Sequence, residues 1–456
     1  MISNQSTQPP DLYHCDRDQI FAYFQRAWEI EDCLMKSVID PNTFYTNPDS
    51  LRNLLIFYLG HSVVFYINKL IRANLINKRI NSHFEILFEI GVDPEKPDDI
   101  SGVFANLRET NIDQVWKYRQ QVYECISELI KNLKIDLPIN QQHPLWALMM
   151  AIEHQYIHIE TSSMLLRQLP IDNLHRPKFW QYAPSDLPSN LNRMVEVKGG
   201  NVKLGKPLES SIYGWDIEYG DRVVDVESFY TSKYLVTNSE FLEFVKSGGY
   251  ENQDYWQKSA WKWKIDHNIQ HPKFWIPKHD LQGTVYEYRA MFDELPLPFS
   301  WPVEVNYYEA IAYCRWLGND YRLMTESEWN LATFSSPQPS STSSYNLNLK
   351  FGSPSPTGFC DRDVNDDQEI SDLRGNVWEW LSDHLTPLEG YQPHYLYENY
   401  SAPYFDDKHQ MMAGGSWITG GTEAEKYYRN WFRPNFYQHA GFRVAVSTSR
   451  SEALTS

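Results

Sequence analysis

Cysteine is scarce and scattered in this chain of 456 residues: Cys15, Cys33, Cys125, Cys314 and Cys360, with no Cys-x-x-Cys pair. An odd, widely spaced set argues against a disulfide framework or a thiolate zinc site. Positive charge is also short. Lys and Arg number 41 against 59 Asp and Glu, a formal charge of −18, which disfavours nucleic acid and anionic membranes as partners. No apolar run reaches the length that crosses a bilayer. The opening residues MISNQSTQPPDLYHCDRD lack a basic start followed by an apolar core, so no secretory signal is expected and a reducing cytoplasm is the expected compartment. Rings, by contrast, are plentiful: aromatic residues make up 15%, with 16 Trp and 30 Tyr, a composition suited to sites walled by rings. The length implies two or three domains.

Apolar spacing predicts helices over about Asp16–Val38, Leu51–Ile76, Ile112–Leu133 and Leu145–Leu169, with Asp16 or Asp18 as the first cap. Four amphipathic helices of similar length, one connection long, read as an antiparallel bundle, and bundles build metal sites from inward side chains on facing helices. His154 and His158 lie four apart and so share a helix face. His61, on the second helix, is the candidate third ligand. Imidazole suits iron, copper, zinc and nickel alike, so spacing leaves the metal open, and it equally allows ordinary core histidines. Glu160 falls off that face; it is either a carboxylate orienting a ligand from behind or an ordinary helix carboxylate.

After Pro170 the texture changes to Pro, Gly and aromatic residues, short strands such as 195–200, and short helices at 238–245 and 307–318. Residues 334–357, rich in Ser, Pro and Asn, read as a surface loop, and 447–456 as a frayed tail. The fold class expected is α followed by α+β: a helical domain over 12–176, a linker over 177–192, and an irregular α+β domain over 193–448.

The second half carries an ordered series of motifs: Val195-Glu196-Val197-Lys198-Gly199-Gly200, Val236-Thr237-Asn238, Arg322-Leu323-Met324-Thr325-Glu326-Ser327-Glu328-Trp329, Gly375-Asn376-Val377-Trp378-Glu379-Trp380, Gly414-Gly415-Ser416-Trp417 and Gly441-Phe442-Arg443. The series resembles the formylglycine-generating-enzyme (sulfatase-modifying factor) family, a C-type-lectin-like fold. The helical half resembles the DinB-like four-helix module. Together, with His61…His154-x-x-x-His158-x-Glu160, they resemble the non-haem iron sulfoxide synthases of thiol-histidine biosynthesis. Leu55 to His61, Glu153-His154, Ile157 to Ser163 and Arg429-Asn430-Trp431-Phe432-Arg433-Pro434 resemble the 5-histidylcysteine sulfoxide synthases of the ovothiol branch.

That resemblance implies Fe(II) held by His61, His154 and His158, with O2 as co-substrate. It implies coupling of the sulfur of L-cysteine to the imidazole of L-histidine, giving 5-histidylcysteine sulfoxide. It implies Tyr397 as a proton donor and Tyr400, three residues on, as a contact to the imidazole. Asn430, Trp431 and Arg433 would bind substrate, Arg433 being preferred over Arg429 and Arg443 as a carboxylate clamp. The ergothioneine branch commonly carries Gln where Ile157 stands, and some members carry Asp and Arg where Phe432 and Phe436 stand. These departures favour histidine and free cysteine; the alternative is an ergothioneine-type synthase taking hercynine with cysteine or γ-glutamylcysteine, or a selenium-using relative. Two readings of other kinds are a non-catalytic ligand-binding module and a copper-dependent formylglycine-generating oxidase, for which Cys314 and Cys360 fall outside the expected late motif. A separate methyltransferase is expected in the pathway, since the chain ends soon after Gly441-Phe442-Arg443. The oligomeric state stays open.

Overall fold

The structure, a computed structural model, describes residues 8–89, 91, 93–96, 99, 102, 104–280, 283–335, 344–360 and 369–448. The chain divides into two compact units. One comprises the chain up to Phe179 with Glu209–Tyr213 and Gly421–Glu423; the other comprises Trp180–Leu208, Gly214–Gly420 and the chain from Ala424 onward.

The first unit is helical. α1 (Arg17–Met35) begins at a capping box: the Asp16 carboxylate accepts from the Gln19 N–H, and the Gln19 side chain accepts from the Asp16 N–H, both at 2.9 Å. There follow α2 (Leu55–Arg72), the short α3 (Ser82–Leu87) and α4 (Phe104–Glu109), α5 (Ile112–Asn132) and α6 (Trp146–Arg167). α1 and α2 each pack against both α5 and α6. α6 is buried on almost every side, as befits a helix with apolar residues all round. Buried polar groups in such a core need partners. Arg119 of α5 supplies several: it donates to Glu31 (3.0 Å) and Asp32 (2.8 Å) of α1 and to the Leu59 carbonyl of α2 (2.8 Å). No helix among the described residues is long and apolar enough to cross a membrane.

The second unit is an α+β body of short strands. Asn430–Phe432, Gln410–Ala413, Trp378–His384 and Ala440–Gly441 lie side by side in that order. The first pair is antiparallel with Asn430 opposite Met412, and the last pair is parallel with Ala440 opposite Trp378. Met194–Val197, Phe229–Ser232 and Ala445–Ser447 form a separate three-stranded sheet. Two buried ion pairs lock the interior: Arg443 to Glu379 (2.6 and 3.0 Å) and Arg429 to Glu326 (2.5 and 3.0 Å). Gly375 and Gly414 both take positive φ, and the Gly375 N–H donates to the Gly414 carbonyl at 2.8 Å, so these motif glycines serve turns and close packing.

Two expectations change. The helix Glu326–Ser335 was absent from the sequence reading. The surface-loop reading of 334–357 is corrected where the structure describes it. Tyr345, Asn346, Leu347, Ser353, Ser355 and Thr357 are all buried, and hydrogen bonds draw the stretch inward: the Asn346 side chain donates to the Ser353 carbonyl, and the Asn376 side chain bonds both backbone groups of Ser355. Residues 336–343, and 449–456 of the expected tail, lie outside the described residues.

Candidate metal centre

His154 and His158 stand one turn apart on α6, and His61 comes from α2. One nitrogen from each ring lies within 4.8 Å of the other two. Ring centroids are 4.4 Å apart for His154 and His158, 4.5 Å for His61 and His158, and 5.1 Å for His61 and His154. Among the described residues no other group of three His, Cys, Asp or Glu side chains is close enough to hold one ion.

The His61 and His154 rings are buried and the His158 ring is half-buried. The His61 Nδ1 lies 2.6 Å from the Phe88 carbonyl. A carbonyl only accepts, so Nδ1 carries the hydrogen and the Nε2 lone pair remains for another partner. Burial pushes His61 down to about 4, helped by Lys69 and opposed by the Phe88 bond. Burial, then the neighbouring histidines, hold His154 and His158 well below the usual imidazole range. All three are therefore neutral near pH 7, the form that ligates metal. The His158 Nδ1 is buried without a hydrogen-bond partner, which folded proteins rarely tolerate. Three neutral imidazoles, one anchored through its far nitrogen, fit a divalent transition ion.

The walls hold the rings in place. Phe65 stacks on His154 at 3.6 Å with the planes 7° apart, and Phe57 on His61 at 4.8 Å and 20°. Gly60 lets Phe88 approach: a Cβ there would lie 2.6 Å from the Phe88 ring. Ile157, next to His158, is half-buried, and Glu160 is buried.

The other sequence-predicted residues belong to the second unit. Tyr397 and Tyr400 pack with ring centroids 5.5 Å apart, and Tyr400 lies edge-on to Trp431 at 5.4 Å. Tyr400 also stacks on Trp215 at 4.1 Å and shares a hydroxyl contact of 3.1 Å with Tyr428. Burial, then Tyr404 and the Asp216 carboxylate, push the Tyr397 phenol upward, so it keeps its proton at neutral pH. Asp216 anchors the segment: its carboxylate accepts from the Ser401 hydroxyl at 2.8 Å and the Tyr391 hydroxyl at 3.0 Å. Asn430 and Phe432 lie on the edge strand Asn430–Phe432 of the four-stranded sheet and Arg433 just after it, all half-buried. Phe432 and Phe436 have ring centroids 6.4 Å apart. Arg429 and Arg443 are engaged with Glu326 and Glu379. Sequence reasoning missed Phe88, Trp215 and Asp216; no motif marks them.

Residues 181–448 match the family model described as a sulfatase-modifying factor enzyme 1-like domain. The chain is similar to the hercynine oxygenase of Mycolicibacterium smegmatis, 31% identical over 282 residues, covering 58% of this chain and 63% of that protein. It is similar to ergothioneine biosynthesis protein 1 of Neurospora crassa, 23% identical over 502 residues, covering 92% of this chain and 57% of that protein. The corresponding Schizosaccharomyces pombe protein is 25% identical over 453 residues, covering 90% and 53%. The chain spans less than two thirds of the length of each of these relatives.

Proposed function

The chain belongs to the sulfatase-modifying factor enzyme 1-like family through residues 181–448, and from that premise we propose that it is an iron- and O2-dependent sulfoxide synthase. The observation that carries this reading is the buried, neutral cluster of His61, His154 and His158. The names of the similar proteins support it. In this reading residues 12–176 are a DinB-like four-helix bundle, 177–192 a linker, and 193–448 a C-type-lectin-like domain.

His61, His154 and His158 would hold Fe(II), which when bound supplies one-electron reactivity towards O2 and favours the thiolate of a coordinated thiol. The overall reaction balances as a four-electron oxidation: a cysteine thiol, an imidazole C–H and O2 give a carbon–sulfur bond, one oxygen on sulfur, and water. Tyr397 holds a proton on its phenol oxygen for delivery, Tyr400 contacts the imidazole, and Asn430, Trp431 and Arg433 bind the amino-acid ends. Ile157 and Phe432 support L-histidine and L-cysteine as substrates and 5-histidylcysteine sulfoxide, the first step towards ovothiol, as product. We read the protein as cytoplasmic and free of nucleic-acid or membrane partners. A second reading takes hercynine as the acceptor, and the relatives' names favour it. The deciding experiment gives anaerobic, Fe(II)-loaded protein L-cysteine with equal L-histidine and hercynine, admits O2, and identifies products by mass spectrometry. A histidine conjugate as main product is expected. A hercynine conjugate alone moves the assignment to the second reading, and no sulfoxide from either overturns the synthase.

A further inference from the structure

Both chain neighbours of His154 are buried polar residues tied to other parts of the helical unit. Gln155 accepts from the Tyr66 hydroxyl at 2.7 Å and donates to Glu31 at 2.8 Å. Glu153, with no exposed surface, accepts from the Tyr23 hydroxyl of α1 at 2.6 Å and from the N–H and hydroxyl of Thr422, both at 2.8 Å. Thr422 sits in Gly421–Glu423, which belongs to this unit although distant in the chain. Gly421 has φ +64°, and a Cβ there would fall 2.6 Å from the Glu153 Oε2 and 2.8 Å from the Tyr23 hydroxyl. Only glycine lets this stretch come so close.

Successive side chains leave a helix about 100° apart, so residues 153, 154 and 155 point in three directions around the α6 axis. With 153 and 155 each held by hydrogen bonds to other segments, this turn cannot rotate without breaking them. A carboxylate is costly to bury, and an apolar side chain could fill the same space; what the carboxylate adds is direction, through short charge-assisted bonds. Metal centres tolerate only about 0.5 Å of drift in their donors.

We propose that Glu153, anchored by Tyr23 and Thr422, is a positioning residue for the three-histidine centre, fixing the rotation of α6 that brings His154 and His158 to His61. The inference rests on the reading of those histidines as metal ligands. The test titrates Co(II) alone into the metal-free full chain and records visible absorption, alongside the unfolding midpoint of each metal-free variant. The unmodified protein should bind with a visible band that His154→Ala abolishes. Thr422→Val, which removes the hydroxyl donor at nearly constant volume, should weaken Co(II) binding about tenfold and alter the band, while Thr422→Ser restores both. Glu153→Gln should weaken binding at least as much; if that variant does not fold, the Thr422 pair decides alone. Unchanged affinity and an unchanged band in Thr422→Val overturn the positioning role and leave the metal reading standing. A protein that binds no Co(II), or binds it equally well without His154, overturns the metal reading and this inference with it.

Discussion

Gly60 lies inside α2, where glycine ordinarily weakens a helix and alanine should gain about 1 kcal/mol. The structure sets a larger effect against that gain. An added Cβ would stand 2.6, 2.7 and 2.8 Å from three carbons of the Phe88 ring, where carbon contacts need about 3.5 Å. The ring is fully buried, with Phe57 and Phe84 beside it, so it would have to shift by about 1 Å within a packed core, at about 1–3 kcal/mol. The cost cancels or outweighs the gain, giving Gly60→Ala a net change between about zero and 2 kcal/mol of destabilisation. Stability alone is therefore a poor discriminator. The Phe88 carbonyl, however, lies 2.6 Å from the His61 Nδ1 and accepts its hydrogen, and losing such a partner behind a metal-binding imidazole weakens affinity by about 10–100-fold. Denaturant unfolding of the metal-free variant, followed by Fe(II) or Co(II) titration, separates the two. Phe88→Leu added to Gly60→Ala makes room for the methyl group and should recover part of the affinity. A Gly60→Ala protein about 1 kcal/mol more stable than the parent, with parental metal affinity, would show that Phe88 neither packs there nor braces His61.

Metal binding should be visible in stability: a divalent ion at 100 times its Kd should add about 2.7 kcal/mol to the unfolding free energy. A chelator should remove that gain and His158→Ala should prevent it, whereas a chelator-insensitive midpoint contradicts the site. Glu309 is fully buried, and burial pushes its carboxyl up to about 7 from the usual 4.5, against hydrogen bonds from the Tyr250 hydroxyl and the Asn306 N–H. Because the folded value is the raised one, its stabilising contribution, up to about 3 kcal/mol, is complete below pH 4.5 and lost as pH rises through 7; Glu309→Gln should flatten that slope in unfolding titrations, and an unchanged slope refutes the assignment. Tyr397→Phe should divert product from carbon–sulfur coupling towards cysteine sulfinate, measured by mass spectrometry, and an unaltered ratio would remove its phenol from the chemistry.

The helical unit was the most legible part of the chain, because a period of 3.6 writes itself into apolar spacing. An Asp cap on the first helix, Asp16 of the two candidates Asp16 and Asp18, and the shared face of His154 and His158 follow from local rules. What the sequence hides is long-range. Nothing local says that Thr422 reaches a carboxylate 269 residues away, or that the backbone carbonyl of Phe88 faces His61. Composition misled at 344–357, since Ser, Asn and Pro register hydrophilicity and not whether backbone partners wait inside. Trp180, whose indole donates to the Gly352 carbonyl at 2.9 Å, is one of the residues that draw that stretch inward. The helix Glu326–Ser335 escaped notice because Trp329, Leu331 and Ala332 mark its buried side without a repeating period. Its start is fixed instead by the Glu328 carboxylate, which accepts from the Thr325 N–H and from Arg322.

The character of the histidine cluster follows from what could satisfy it. Three imidazoles present lone pairs or N–H groups within 4.8 Å of one another, and like faces repel. A proton would relieve that repulsion, but burial opposes charge on each ring. The Nδ1 of His61 is already committed to Phe88, which leaves its other nitrogen as an acceptor with no hydrogen to give. A small divalent cation resolves all of this at once: it takes three lone pairs together and repays the desolvation of its own charge through three nitrogen bonds. An anion or a neutral donor could engage at most part of the set. On α6, Glu153, His154 and Gln155 stand in succession: one turn both presents an imidazole of the cluster and, through its two neighbours, is tied to other segments.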